Sequence, residues 1–254
     1  MAKASDFKIS RDAGHGLKPQ PTAGKRTPKL PKLDNRVIFE REFNEAANNY
    51  FGEGLRRCGF KEKNVAPELT DVPLSTRVSR CNTFDADLHV SFHFNALGST
   101  LRDGIGGIET LAGSSSTSKK IAAKVQAQLI KATGLRDRGV RDGSWLYLNH
   151  TKSPLVLVEC GFMDIQDEAV LMIDKTYQKK VAEAVLKAVC DHFNVPYVAE
   201  KKEASKPAPK PASATTFRLV ADGKQVGAFN VEANAVNMLK DKLDDAKEVK
   251  ITKK

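Results

Sequence analysis

Nowhere in this chain do two cysteines stand close enough in sequence to form a Cys-x-x-Cys pair; Cys58, Cys81, Cys160 and Cys190 are scattered. That spacing excludes a cysteine zinc knuckle and gives no disulfide framework, which is the usage of a protein made and kept in a reducing cytoplasm. Also missing is any run that approaches the roughly 20 apolar residues of a membrane span. The opening Met-Ala-Lys-Ala-Ser-Asp-Phe-Lys lacks the apolar stretch of a signal peptide. The expectation is residence in the cytoplasm with no transmembrane segment. A substrate outside the cytoplasm would then require another agent to carry or release the protein.

What is present is ordinary for a globular chain, with 41% apolar and 28% charged residues among 254. The balance of charge is less ordinary. A formal net charge of +10 and a pI near 9.4 point to a polyanionic partner, or else serve solubility. Nucleic acid, an anionic membrane and an anionic cell wall all satisfy the charge, but no nucleic-acid-binding motif accompanies it.

Composition shifts divide the chain. Residues 199–214, with three alternating prolines and no large apolar side chain, read as an extended tether. They separate a domain over 1–198 from a small one over 215–254. In the large domain Phe7 to Arg11, Leu88 to Phe94, Gly107 to Leu111 and Leu155 to Val158 read as strands. Between the first two, Phe43, Ala46, Ala47, Tyr50, Gly54 and Leu55 recur at helical spacing, with Gly59 as the stop signal. Ile121, Val125 and Leu129 mark a second helix closed near Gly134, and Tyr177, Val181, Val185, Ala188 and Val189 a third ending before Pro196. Interleaved strands and helices predict an α/β domain with a mostly parallel or mixed sheet flanked by helices. In the small domain, strands flank Asp222-Gly223, a hairpin signal. A stripe through Ala235, Val236, Leu239 and Leu243 follows, then Val249 and Ile251. This predicts a ββαβ unit whose core is marginal alone, so that it pairs with a second copy or docks elsewhere.

Four residues carry the chemistry: His15 in Asp-Ala-Gly-His-Gly, Glu40 in Glu-Arg-Glu-Phe-Asn, His93 in Val-Ser-Phe-His-Phe-Asn, and Glu159 in Val-Glu-Cys-Gly-Phe. Two neutral imidazoles and a carboxylate can hold a zinc ion with a position open for water, and a further carboxylate can take that water's proton. His15, Asn95 and Glu159 fall at or just beyond predicted strand ends, where ligands gather in such sheets. Each has a plainer reading. His15 suits a glycine-flanked turn, and Glu40 suits a helix N-terminus. Glu42 and Glu45 compete with Glu40, although their helical phases differ. On the strand at 88–94, two-residue alternation puts His89, Ser91 and His93 on one face. His93 lies nearer the mouth of the sheet, while His89, deeper, reads as structural. Glu159 ends the run Leu-Val-Leu-Val, where a carboxylate is costly to bury unless it is functional or paired with Arg136, Arg138 or Arg141. Burial would raise its pKa toward neutrality, as a general base and acid requires. Cys160 beside it offers a nucleophile, with His93 or His150 as base, but alternation turns it to the opposite face, where a small core residue is expected.

In this order these contexts, together with Arg138-Gly-Val-Arg-Asp142, resemble the zinc-dependent N-acetylmuramoyl-L-alanine amidases, in particular those that bacteriophages deploy as endolysins. The resemblance runs from about Phe7 to Phe193. It implies zinc held by His15, Glu40 and His93, with Glu159 as the catalytic carboxylate. It also implies hydrolysis of the amide between N-acetylmuramic acid and the L-alanine of the stem peptide, by a protein held in the host cytoplasm until lysis. The chain departs from the family in having His89, where an apolar or aromatic residue is usual. It departs also in the basic stretch Leu17 to Arg36, which is expected to shape the substrate cleft. Asn95, Lys25, Arg26 and Arg141 are candidate substrate contacts, and peptidoglycan with anionic wall polymers the expected partner. The small domain, a weak likeness of sporulation-related wall-binding repeats, reads as a targeting or oligomerising module, giving a homodimer in the second case. Competing readings are another zinc hydrolase (a cell-wall carboxypeptidase or deacetylase) and a non-catalytic wall-binding protein.

Overall fold

The computed structural model describes residues 3–104, 106–200, 217–221, 224–229 and 249–253. They fall into two compact units, Met1–Glu200 and Lys201–Lys254. In the first, six strands form one sheet: β1 (Lys8–Ala13), β2 (Lys61–Asn64), β3 (Leu88–Asn95), β4 (Ile108–Ala112), β5 (Asp137–Asp142) and β6 (Leu155–Phe162), in the order β2-β1-β3-β6-β4-β5. From β2 through β6 all neighbours are parallel; β4 then runs antiparallel to β6, with β5 parallel to β4. The sheet is mixed and mostly parallel.

Helix α1 (Glu40–Cys58) forms because Phe43, Ala47, Phe51 and Leu55 recur every four residues, and all four are fully buried. Gly59, at φ 89°, takes the left-handed conformation that ends it. Further along come α2 (Leu74–Phe84), α3 (Ser116–Thr133), the single turn α4 (Gln166–Ala169) and α5 (Lys175–His192). Ser115 and Asp174 cap α3 and α5 by accepting from the amides of Ser118 and Thr176. The long helices share one face of the sheet, α5 lying between α1 and α3. Val90, Phe92 and Phe94 of β3 and Val156, Val158 and Cys160 of β6 meet them in one core. Alternation sends His89, Ser91 and His93 of β3, with Leu155, Leu157 and Glu159 of β6, to the other face. There Leu155 packs with Val78 of α2 and Leu148. All four cysteines are buried and free.

β2, β5 and α2, like the single turn α4, stand where no pattern marked them. β2 and β5 are the edge strands, short, charged and without apolar alternation, and α2 buries only Arg77, Val78 and Cys81. In the second unit β7 (Phe217–Ala221), β8 (Lys224–Phe229) and β9 (Val249–Lys253) form an antiparallel sheet in the order β8-β7-β9. The turn at Asp222-Gly223, the helix expected through Ala235 to Leu243 and residues 201–214 of the tether lie outside the described residues.

Candidate metal centre

Parallel register puts His93 of β3 directly beside Glu159 of β6, and antiparallel register puts Glu109 of β4 on the other side of Glu159. Gly14, whose amide donates to the carbonyl of Phe92, continues this row just past the end of β1. The row crosses four chain segments on the face away from the large helices, at the carboxyl ends of β1, β3 and β6. Gly14 contributes no side chain, and a Cβ there would overlap the imidazole of His93. The ring therefore lies across the glycine, toward α1.

The first residue of α1, Glu40, meets it. Glu40 Oε1 lies 2.9 Å from His93 Nδ1, and its Oε2 lies 3.1 Å from His15 Nε2. The two imidazoles stand edge to face, ring centres 5.0 Å apart. One donor atom from each of His15, Glu40 and His93 can be chosen so that all three lie within 4.8 Å of one another. Bond lengths near 2.0–2.2 Å put two ligands of one tetrahedral ion about 3.4 Å apart, so this set fits such an ion with a modest opening. The donors also fit in kind, two nitrogens and a carboxylate being a catalytic rather than a structural set. Glu42 and Glu45 point elsewhere: Glu42 accepts from the amide of Phe39 and pairs with Arg36, and Glu45 pairs with Arg41.

The ligand-bearing turn is clamped from beneath. His15 has φ 63°, an uncommon value for a residue with a side chain. Arg41, 1% exposed, donates to the carbonyls of Ala13, His15, Ala66 and Glu68 at 2.8–3.2 Å. Arg77, equally buried, donates to the carbonyl of Ala13 and to Asp12. Asn44 joins Glu40 Oε1 to the carbonyl of Gly14, and the amide of Phe94 donates to the same oxygen. These contacts fix the backbone on which both histidines stand.

Charges in the site follow from burial and partners. Burial alone would raise Glu40, but hydrogen bonds from His15 and His93 outweigh it and hold the carboxyl well below its usual range. Burial lowers His15 despite Glu40. For His93, burial acts in the same sense but is overcome by Glu40 and Glu159, and its pKa is raised. Glu159 is pushed up to about 8, first by burial, which the charge of His93 opposes and those of Glu40 and Glu109 reinforce. Its Oε2 is closed to solvent and without a hydrogen-bond partner.

Arg138 and Arg141 pair with Glu109 instead of Glu159, at 3.0 and 3.7 Å. Asn95 donates to Glu109 Oε1 and accepts from the amide of Ala96, so both ends of its amide are occupied. Lys25 and Arg26 sit on the exposed stretch between the first two ligands. The charge of Lys25 acts on both His15 and Glu159, and the backbone of Arg26 bridges to Phe39. His89 lies in a buried network, its Nδ1 2.8 Å from Ser10 Oγ and its Nε2 4.0 Å from Asp12. Cys160 is fully buried on the helix face below Tyr177, and burial pushes its thiol well up, which removes it as a nucleophile. His150 packs on Tyr147. Sequence patterns gave no sign of Arg41, Arg77 or Glu109. A buried arginine leaves no periodic trace, and Glu109 gains its place from an antiparallel pairing.

A family model described as N-acetylmuramoyl-L-alanine amidase matches residues 9–191. The uncharacterized protein YqiI of Bacillus subtilis (strain 168) is 26% identical over 192 residues, which are 72% of this chain and 83% of that protein. The endolysin of Bacillus phage SPP1 is 32% identical over 157 residues, 59% of this chain and 52% of its own. Among solved structures, the catalytic domain of CwlV, an N-acetylmuramoyl-L-alanine amidase from Bacillus (Paenibacillus) polymyxa var. colistinus, superimposes with a TM-score of 0.65 at 26% identity, covering 75% of this chain and 99% of that one.

Proposed function

The chain belongs to the N-acetylmuramoyl-L-alanine amidase family, and on that premise we propose that it hydrolyses the amide between the lactyl group of N-acetylmuramic acid and the L-alanine of the peptidoglycan stem peptide. The observation that carries this reading is the unpartnered carboxylate oxygen of Glu159, raised in pKa and one strand away from His93. A carboxyl that titrates near neutrality can accept a proton in one step and return it in the next.

His15, Glu40 and His93 would hold the metal, and zinc is the ion their donor set favours. Once bound, zinc would supply a water of pKa about 7 and an electrophile for the carbonyl oxygen. Glu159 takes the proton of the attacking water on its unpartnered oxygen and delivers it to the departing amine of L-alanine. The buried guanidinium of Arg41 keeps the turn at His15 from relaxing during the cycle. Lys25 and Arg26, on the exposed stretch, and Arg141, at the β5 edge, are positioned to meet anionic groups of the wall. For Asn95 the reading is indirect, since it touches Glu109 rather than open space.

Among the described residues no helix is long and apolar enough to cross a membrane. A lytic role, in which the protein reaches the wall after a lesion opens the membrane, is supported by its similarity to the phage endolysin. The chain covers only about half of that relative's length, 52%. Binding of wall polymers, or pairing with a second copy, falls in this reading to the second unit.

The test is Glu159→Gln. Turnover of purified walls is expected to fall by roughly two to four orders of magnitude. Metal content and circular dichroism should match the wild type. Lysis retained by this variant would overturn the role of Glu159. Free N-terminal L-alanine among the wild-type products supports the amidase, whereas released acetate or D-alanine would assign another hydrolase.

A further inference from the structure

Beyond Glu159 the row continues into a cluster that the hydrolytic step does not use. Glu109 accepts from Asn95 Nδ2 at 2.7 Å through one oxygen and from Arg138 Nε at 3.0 Å through the other. The guanidinium of Arg138 lies over the Phe162 ring, 4.5 Å from its centre. Glu168, tied by both oxygens to the amides of Gly107 and Phe162, feels the charge of Arg138. Only Nε of Arg138 is hydrogen-bonded among the described residues, and its terminal nitrogens are not among the atoms closed to solvent. The outcome is a planar fork, held by Glu109 and Phe162, whose two terminal amino groups carry no hydrogen bond among the described residues.

We propose that Arg138, oriented by Glu109, is a subsite for a free carboxylate on the stem peptide, borne by the second or third residue and counted with L-alanine as the first. This rests on the amidase reading above. Chemistry and spacing both support it. A pre-ordered guanidinium fork is the side chain that best matches a carboxylate, through two parallel hydrogen bonds. Glu109 is one strand from Glu159, and Arg138 one strand further. Two strand spacings are about 9–10 Å, which an extended peptide leaving Glu159 crosses in about three residues. Arg141, 56% exposed and 3.7 Å from Glu109, adds positive charge at the rim. Glu109 thereby serves twice: it repels negative charge at Glu159, helping to keep that pKa high, and it aims Arg138.

The experiment uses the full-length zinc-loaded protein and synthetic muropeptides that differ only in whether the carboxyl of the second or third stem residue is free or amidated. The wild type is expected to prefer the free acid at one of these positions by about tenfold or more in kcat/KM, with the difference in KM. In Arg138→Gln the ratio of acid to amide should fall to near one, and Arg138→Lys should restore part of it, a point charge lacking the fork. Calorimetric binding of the corresponding peptides without the sugar reads the same preference independently of turnover. Two results would overturn the subsite: a wild type indifferent to amidation at both positions, or an Arg138→Gln variant that loses rate on acid and amide alike with their ratio unchanged. Failure of the wild type to cleave any muropeptide would instead sink the amidase reading, and the binding measurement would still decide the carboxylate site.

Discussion

At the scale of single residues, one missing side chain organises the centre. Gly14 stands where a Cβ would strike the ring of His93, and that ring in turn sets the distance to Glu40. Gly14→Ala is expected to leave the unfolding transition nearly intact while lowering zinc affinity by about 10- to 100-fold, the range seen when a ligand loses its orientation. Calorimetric titration of the apoprotein with zinc checks it, and unchanged affinity would show that the ring has room elsewhere. The short contexts around His15 and Glu40 were legible in the chain because one follows a strand and the other opens a helix, whereas His93 and Glu159 lie inside β3 and β6 and stood out as polar residues in apolar strands. What stayed illegible was the support. Arg41 reads as a helix residue flanking a glutamate, and nothing local tells that its guanidinium turns inward to four carbonyls.

At the scale of elements, the joint between β1 and α2 depends on one buried ion pair. Arg77 of α2 donates to Asp12 of β1 at 2.9 Å, with both side chains at most 2% exposed. Burial would raise Asp12, but the charges of Arg77 and His89 outweigh it and hold its carboxyl below the usual range. The sign follows directly. A depressed carboxylate adds stability that is present above its unfolded pKa and is lost as the pH falls through the folded value. The wild type should therefore lose this contribution only below about pH 4. Arg77→Leu is expected to cost about 3–5 kcal/mol at neutral pH, the penalty of leaving a buried charge alone. In that variant the trend reverses: Asp12, now raised by burial, protonates earlier, and stability recovers as the solution is acidified from neutrality. Urea denaturation at several pH values measures both slopes, and parallel slopes would refute the account. Strands and helices with a clear apolar period, such as β3, β6, α1 and α5, could be read from the chain. α2 could not, because two of its three buried residues are Arg77 and Cys81, and the edge strands β2 and β5 face too much water to need a pattern. The reversed direction of β4 depends on long-range pairing and had no local signal.

At the scale of the whole molecule, the residues matched by the family model end at 191, and the second unit begins at Lys201. Removal of residues 201–254 is expected to leave cleavage of soluble muropeptides within about twofold of the intact protein, while binding to insoluble walls weakens and loses part of its salt dependence. Sedimentation of each form with walls over a salt series provides the comparison. Equal binding by both forms would place wall attraction in the large unit, where the basic stretch from Leu17 to Arg36 lies. The net charge of +10 suits an anionic partner but does not locate the surface that would meet it. Charge is summed over the chain, whereas contact depends on which residues folding brings side by side.

One turn of topology reaches furthest. Since β4 runs antiparallel to β6 beside Glu159, the charged groups around the centre come from separate stretches of chain: Lys25 from the stretch between the first two ligands, and Glu109 and Arg138 from β4 and β5. Neither stretch carries the ligands. On the reading proposed above, preference for a substrate can thus be altered by exchanging residues 17–36 or the edge strand β5, while His15, Glu40, His93, Glu109 and Glu159 keep their places.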